Sequence, residues 1–71
     1  MISYEPLWKT LKSKNISQYK LINTYNIGNG QIQRFRENKH VSTHTLEYIC
    51  KVLDCKIEDI VEYIPDQEDE I

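Results

Sequence analysis

The apolar residues of this chain fall into short groups with helical spacing. In the clearest group, Leu46, Ile49, Cys50 and Leu53 recur at i, i+3, i+4 and i+7, so they share one face of a helix. Similar groups occur in residues 7–11, 21–25, 32–35 and 57–64. This pattern predicts an all-α fold of five short helices with almost no sheet. Only residues 1–4, where Ile2 and Tyr4 alternate, favour an extended segment.

Residues that favour helix ends separate these groups. Pro6 suits the first turn of a helix, and Ser17 and Ser42 are good N-caps. Asn26 is one of the few residue types besides glycine that tolerates the left-handed conformation found at helix ends. Asn38 is expected to end the third helix, so each predicted helix has a plausible boundary.

A chain of 71 residues can bury only one small core. We therefore expect one domain, residues 1–65, and a disordered acidic tail, residues 66–71. Such a core has little stability to spare, which is a reason to expect a homodimer. No apolar run approaches the roughly 18 residues of a membrane span, and the N-terminus does not resemble a signal peptide. We expect a cytoplasmic protein.

The charges are divided unequally along the chain, although the net charge is only −2. Residues 1–44 carry seven Lys and Arg against two acids, a net charge of +5. Residues 45–71 carry two Lys against nine acids, a net charge of −7. The cationic half is the part suited to an anionic partner such as nucleic acid.

The central stretch NIGNGQIQRFRENK, residues 26–39, is rich in amide and cationic side chains and holds both glycines of the chain. If Ile32 and Phe35 face the core, a rotation of about 100° per residue turns Gly30, Gln33 and Arg34 outward. Amide and guanidinium groups carry the hydrogen-bonding atoms that match base edges in a DNA major groove. The stretch is therefore a candidate binding surface.

The segment from Ile16 to Ile64 resembles the Cro and cI-repressor type of helix-turn-helix domain, the large XRE-like group of bacterial and phage regulators. The resemblance depends on a capped fourth helix that begins at Ser42, on the closing sequence TLEYICKVLDCKIEDI, and on the core positions Leu21, Ile27, Ile32 and Phe35. It implies a lambda-repressor-like domain whose helices 2 and 3 form the helix-turn-helix. It also implies a homodimeric transcriptional regulator, a repressor, that binds double-stranded DNA with helix 3 in the major groove.

The resemblance, with the chemistry of the side chains, assigns three sets of residues. The expected base-reading residues are Asn29, Gln31, Gln33 and Arg34. The expected contacts to the DNA backbone are Ser17, Gln18, Lys20, Gly28, Gly30, Arg36, Asn38, Lys39 and His40. The expected dimer interface lies near the fifth helix, at Ile60, Val61, Tyr63 and Ile64, with the N-terminal residues as a second candidate.

Other classes of function are less well supported by the sequence. A protein-interaction module on the same fold, such as an antitoxin or a phage antirepressor, is the main alternative. His40, His44, Cys50 and Cys55 have the chemistry of zinc ligands but lack the close cysteine spacing of a zinc knuckle, so we expect no metal and no cofactor. We expect Cys50 to be a free thiol in the core. No catalytic motif and no small-molecule site is evident, so an enzyme is not expected.

Overall fold

The computed structural model describes residues 1–65 of the chain, and within them four α-helices and a short two-stranded sheet are formed. The helices are α1 (Glu5–Ser13), α2 (Gln18–Asn23), α3 (Asn29–Arg36) and α4 (Thr43–Leu53). The strands are β1 (Ile2–Ser3) and β2 (Glu62–Tyr63), and a 3₁₀ turn, Ile57–Asp59, precedes β2. The predicted tail, residues 66–71, lies outside the described residues.

The predicted fifth helix is wrong. Its first residues form the single 3₁₀ turn, and the chain then extends into β2, which pairs antiparallel with β1 so that Ile2 lies opposite Tyr63. Residues 57–64 are rich in β-branched side chains, which favour extended structure. The expectation of an extended N-terminus is confirmed. This segment forms β1, which provides hydrogen-bond partners for the backbone of β2.

The predicted N-caps Ser17 and Ser42 are confirmed, whereas α2 ends at Asn23, before the predicted Asn26. The Ser17 hydroxyl accepts a hydrogen bond from the Lys20 N–H at 3.1 Å, and the Ser42 hydroxyl accepts one from the Thr45 N–H at 3.1 Å. Asn26 and Asn38 adopt left-handed conformations, with φ of 60° and 56°. These residues set the lengths of the helices and therefore the directions in which the next segments leave them.

One core joins all four helices to the sheet region. Its buried members are Tyr4, Leu7, Leu11, Leu21, Ile27, Ile32, Phe35, Ile49, Leu53 and Ile60. All the core positions on which the family resemblance depended are among them. The helical domain is thus held by the side chains that the apolar spacing selected.

Tyr4 connects this core to the loop after α3. Its ring packs edge-on against Phe35, with 4.7 Å between the ring centroids. Its N–H donates to Asn38 Oδ1 at 3.0 Å, and its hydroxyl donates to the Lys39 carbonyl oxygen at 2.9 Å. Burial raises the pKa of the Tyr4 hydroxyl, so that the hydroxyl stays a donor. The start of the chain therefore fixes the position of the α3–α4 loop.

The two glycines at the start of α3 are not required by the packing of the domain. Gly28 is the N-cap and Gly30 is the second residue of the helix, both have negative φ, and a Cβ at either would meet no atom within 4 Å. We expect Gly30→Ala to raise the free energy of unfolding by roughly 0.4–1 kcal/mol, because alanine loses less backbone entropy in a helix. Urea denaturation with an unchanged m-value would measure this.

Gly28→Ala is the matched control, because it adds the same methyl group outside the helix. Glycine is a better N-cap than alanine, so this variant is expected to be slightly less stable than the wild type. If Gly30→Ala were also destabilising, the helix start would have to be more crowded than the structure shows.

Candidate nucleic-acid interface

Helices α2 and α3 form a helix-turn-helix whose turn is held by one buried side chain. Asn26 turns the chain in the left-handed conformation, and Ile27, only 5% exposed, then enters the core. The Ile27 N–H donates to the Leu21 carbonyl oxygen at 3.1 Å, which ties the turn to α2. The angle between the two helices is thus set by apolar packing and by one left-handed residue.

Helix α3 buries one face and leaves the other to solvent. Ile32 and Phe35 are completely buried, whereas Asn29, Gln33 and Arg34 are exposed. Gly28, Gly30 and Arg36 are exposed too. The face opposite the core therefore presents amides, a guanidinium and two positions without side chains, as the helical spacing indicated.

Gln33 is held between two charged neighbours on this exposed face. Its Nε2 donates to Glu37 Oε2 at 2.6 Å, and its Oε1 accepts from Arg36 Nη1 at 3.0 Å. Arg36 also donates to Gln18 Oε1, at 3.0 Å from Nε and through Nη2 as well. These bonds orient the Gln33 amide and connect the end of α3 to the start of α2.

Arg34 is attached to the loop that follows α3. Its Nε donates to the His40 carbonyl oxygen at 2.7 Å. Within residues 1–65 no acceptor is bonded to its two Nη atoms, so the outer edge of the guanidinium is open to solvent. The side chain is positioned by the fold and still has donors available for another molecule.

Glu37 is placed where an acid would repel a phosphate, but it is paired with a cation. Its Oε1 lies 3.0 Å from Lys39 Nζ in the loop after α3. The hydrogen bond from Gln33 and the contact with Lys39 hold the pKa of the Glu37 carboxyl below its ordinary value. Sequence analysis gave this residue no role, although its i, i+4 spacing from Gln33 on a predicted helix is a signal that could have indicated the contact.

Gln31 differs from the other expected base readers. It is half-buried, and its Oε1 is buried without a hydrogen-bond partner among the described residues. The side chain lines a depression between the α2–α3 turn and the start of α4, with His44, Thr45 and Tyr48 on the far side. The structure therefore places Gln31 at the edge of the exposed face.

The expected backbone contacts lie at the start of α2 and in the loop after α3. Lys20, Lys39 and His40 are exposed, and Ser17 caps the first turn of α2. Asn38 is exposed as well, but its Oδ1 accepts the Tyr4 N–H, so part of its side chain serves the fold. The Gln18–Arg36 contact bridges these two regions across the end of α3.

The expected dimer residues are divided between the core and the surface. Ile60 is completely buried and Val61 is half-buried, whereas Tyr63 and Ile64 are 65% and 40% exposed. The pairing of β1 with β2 places the exposed side chains of Met1 and Ile2 next to them. The two candidate dimer regions therefore meet at the same two-stranded ribbon. We call its exposed apolar residues the ribbon surface: Met1, Ile2, Tyr63 and Ile64.

Cys50 and Cys55 are free and half-buried at the end of α4. Burial raises the pKa of the Cys55 thiol to about 11, so it is protonated at neutral pH. In residues 1–65 no three His, Cys, Asp or Glu side chains come together as metal ligands. None of the described helices is long and apolar enough to cross a membrane.

Comparison with known proteins agrees with the resemblance drawn from the sequence. Residues 6–66 match the family model of the Cro/C1-type helix-turn-helix DNA-binding domain. The crystal structure of the transcriptional regulator VanUg is similar, with a TM-score of 0.84 and 29% identity over 92% of this chain and 87% of that chain. No protein with a curated description matches. Since the family match covers most of the sequence, this chain belongs to the Cro/C1-type helix-turn-helix DNA-binding family.

Proposed function

We propose that this member of the family binds a specific double-stranded DNA operator as a homodimer and represses transcription, with α3 in the major groove. The observation that carries the proposal is the exposed face of α3. There the amide of Gln33 and the guanidinium of Arg34 are both exposed, whereas Ile32 and Phe35 on the opposite face are buried. A helix that enters the groove with its N-terminal residues first would present this face to the bases.

The chemistry of the face supports readout of bases. A Gln or Asn amide matches N6 and N7 of adenine, and the Arg fork matches O6 and N7 of guanine. We assign the main base contacts to Gln33 and Arg34, with Asn29 as a helper at the start of the helix. Gln31 is a weaker candidate because it is half-buried beside α4.

Contacts to phosphate would supply much of the affinity. We assign them to Ser17, Gln18 and Lys20 at the start of α2, and to Asn38, Lys39 and His40 in the loop after α3. Arg36 lies between the two groups, since it already bonds Gln18. Gly28 and Gly30 would allow the start of α3 to approach DNA closely, because neither carries a side chain and the space around both is open.

The ribbon surface is our candidate for the dimer interface. Tyr63 and Ile2 are cross-strand partners, and both are exposed in the single chain. A two-fold pairing of this surface would bury aromatic and aliphatic side chains that the small core cannot cover. The two α3 helices would then read half-sites about 34 Å apart, one turn of the duplex.

We expect Gln33→Ala and Arg34→Ala each to weaken operator binding by about 5- to 150-fold, because each removes a base contact worth roughly 1–3 kcal/mol. Selection from random duplex DNA would first define the operator, and fluorescence anisotropy would then measure affinity. Wild-type affinity should fall steeply with added salt, as expected for contacts to phosphate.

Lys51→Ala, which removes an exposed cation from α4, is the matched control for Arg34→Ala and should bind like the wild type. Equal affinities of the Arg34 and Lys51 variants would contradict the base-reading assignment. Salt-insensitive binding to a protein, without any affinity for DNA, would instead indicate the interaction-module alternative.

We expect Tyr63→Asp to shift a wild-type dimer to monomer in sedimentation velocity, since it places a charge in the middle of the ribbon surface. Tyr19→Asp alters another exposed tyrosine, on α2, and should leave the association state unchanged. A wild type that stays monomeric at high micromolar concentration would rule out this interface.

A further inference from the structure

Glu37, at the end of α3, belongs to a connected set of exposed side chains and contacts two of them. From α2 to the loop, the bonds run Gln18–Arg36–Gln33–Glu37–Lys39. The two carboxylate oxygens of Glu37 have different partners: Oε2 accepts from Gln33, and Oε1 faces Lys39. One acidic residue therefore contacts both Gln33, an expected base reader, and Lys39, an expected phosphate contact.

We propose, on the basis of the DNA-binding function proposed above, that Glu37 is a specificity-determining residue that positions Gln33 for base contact and competes with phosphate for Lys39. The proposal joins two separate effects of the same carboxylate. The first depends on which bases the DNA presents, whereas the second is the same for every DNA sequence. Only the first effect therefore changes specificity, and the second lowers the affinity for all DNA equally.

The positioning effect follows from the hydrogen bonds of the Gln33 amide. A carboxamide has two N–H donors and an oxygen with two lone pairs. Glu37 uses one donor and Arg36 uses one lone pair, so one of each is left. The remaining N–H can donate to N7 of adenine, and the remaining lone pair can accept from the N6 amino group. Because Glu37 and Arg36 distinguish the nitrogen from the oxygen, they also decide which way the amide faces.

The competing effect follows from charge. The side chains of Lys39 and Glu37 are 57% and 42% exposed, so their ion pair is weak and can exchange with another anion. A DNA phosphate that binds Lys39 must replace the carboxylate, and the carboxylate repels that phosphate. This cost is the same for any duplex, so it lowers the affinity of the protein for every DNA sequence by the same factor.

Two substitutions separate these effects. Glu37→Gln removes the charge and keeps an oxygen that can accept from Gln33, whereas Glu37→Ala removes both. We expect both variants to bind a random duplex roughly two- to fivefold more tightly than wild type, with a salt slope steeper by about 1, because Lys39 becomes available to phosphate.

Operator binding should distinguish the two variants. Glu37→Gln should gain affinity for the operator as it does for random DNA. Its specificity ratio, the affinity for the operator divided by the affinity for a random duplex, should therefore stay close to that of the wild type. Glu37→Ala should lose at least about threefold in that ratio, and the loss should be confined to the base pair at which Gln33→Ala also loses discrimination. Purely structural damage would reduce discrimination at every position.

Glu47→Gln and Glu47→Ala are the controls, because Glu47 is an exposed acid on α4 and its removal changes the net charge equally. A separate measurement needs no DNA: carboxyl titration by NMR should give Glu37 a pKa below its ordinary value in the wild type and a higher pKa in Gln33→Ala.

The outcomes separate this inference from the function on which it rests. If the wild type has no operator, the proposed function fails. If the wild type binds an operator but the Glu37 variants behave like the Glu47 variants, or if Glu37→Ala keeps its discrimination, the inference on Glu37 is overturned.

Discussion

The burial of Phe35 between the helices and Tyr4 determines most of what the surface of this protein can do. Phe35 and Ile32 fix the rotation of α3 about its own axis, so the amides and guanidinium groups must lie on the opposite side. Tyr4 packs on Phe35 and bonds the backbone at Lys39, so the same contact positions the loop after α3. A single aromatic pair thus sets the geometry of both a helix face and its flanking cations.

The polar contacts above that core are of a different kind. The bonds from Gln33, Arg34 and Arg36 lie at the surface, where water competes and each bond contributes little to stability. They orient side chains at small cost and can be exchanged for bonds to another molecule. The core therefore provides rigidity, and the surface network provides groups that are arranged in advance but remain replaceable.

Particular residues show how far prediction from the sequence could go. Ser17, Ser42 and Asn26 act through local backbone chemistry, so their roles could be read directly. Ile57 to Ile64 have helical spacing, yet they form a turn and a strand because residues 2–3, distant in sequence, offer a pairing edge. Ile60 was expected at a dimer surface, but it fills the core. The half-buried position of Gln31 depended on neighbours in α4 that spacing alone does not identify. The contact between Gln33 and Glu37, by contrast, has the i, i+4 spacing of a helix and was open to prediction.

The sequence by itself determined the four helices, their caps, the family and the outward face of α3, because these depend on local propensity and on the period of apolar residues. Tertiary structure alone decided the two-stranded sheet, the ribbon surface and the contact between Gln18 and Arg36. These features join residues from separate segments, and their partners are set by how the helices pack. The spacing of apolar residues along the chain specifies which side of a helix is buried. Only the packing of the whole chain specifies which other segment lies against that side.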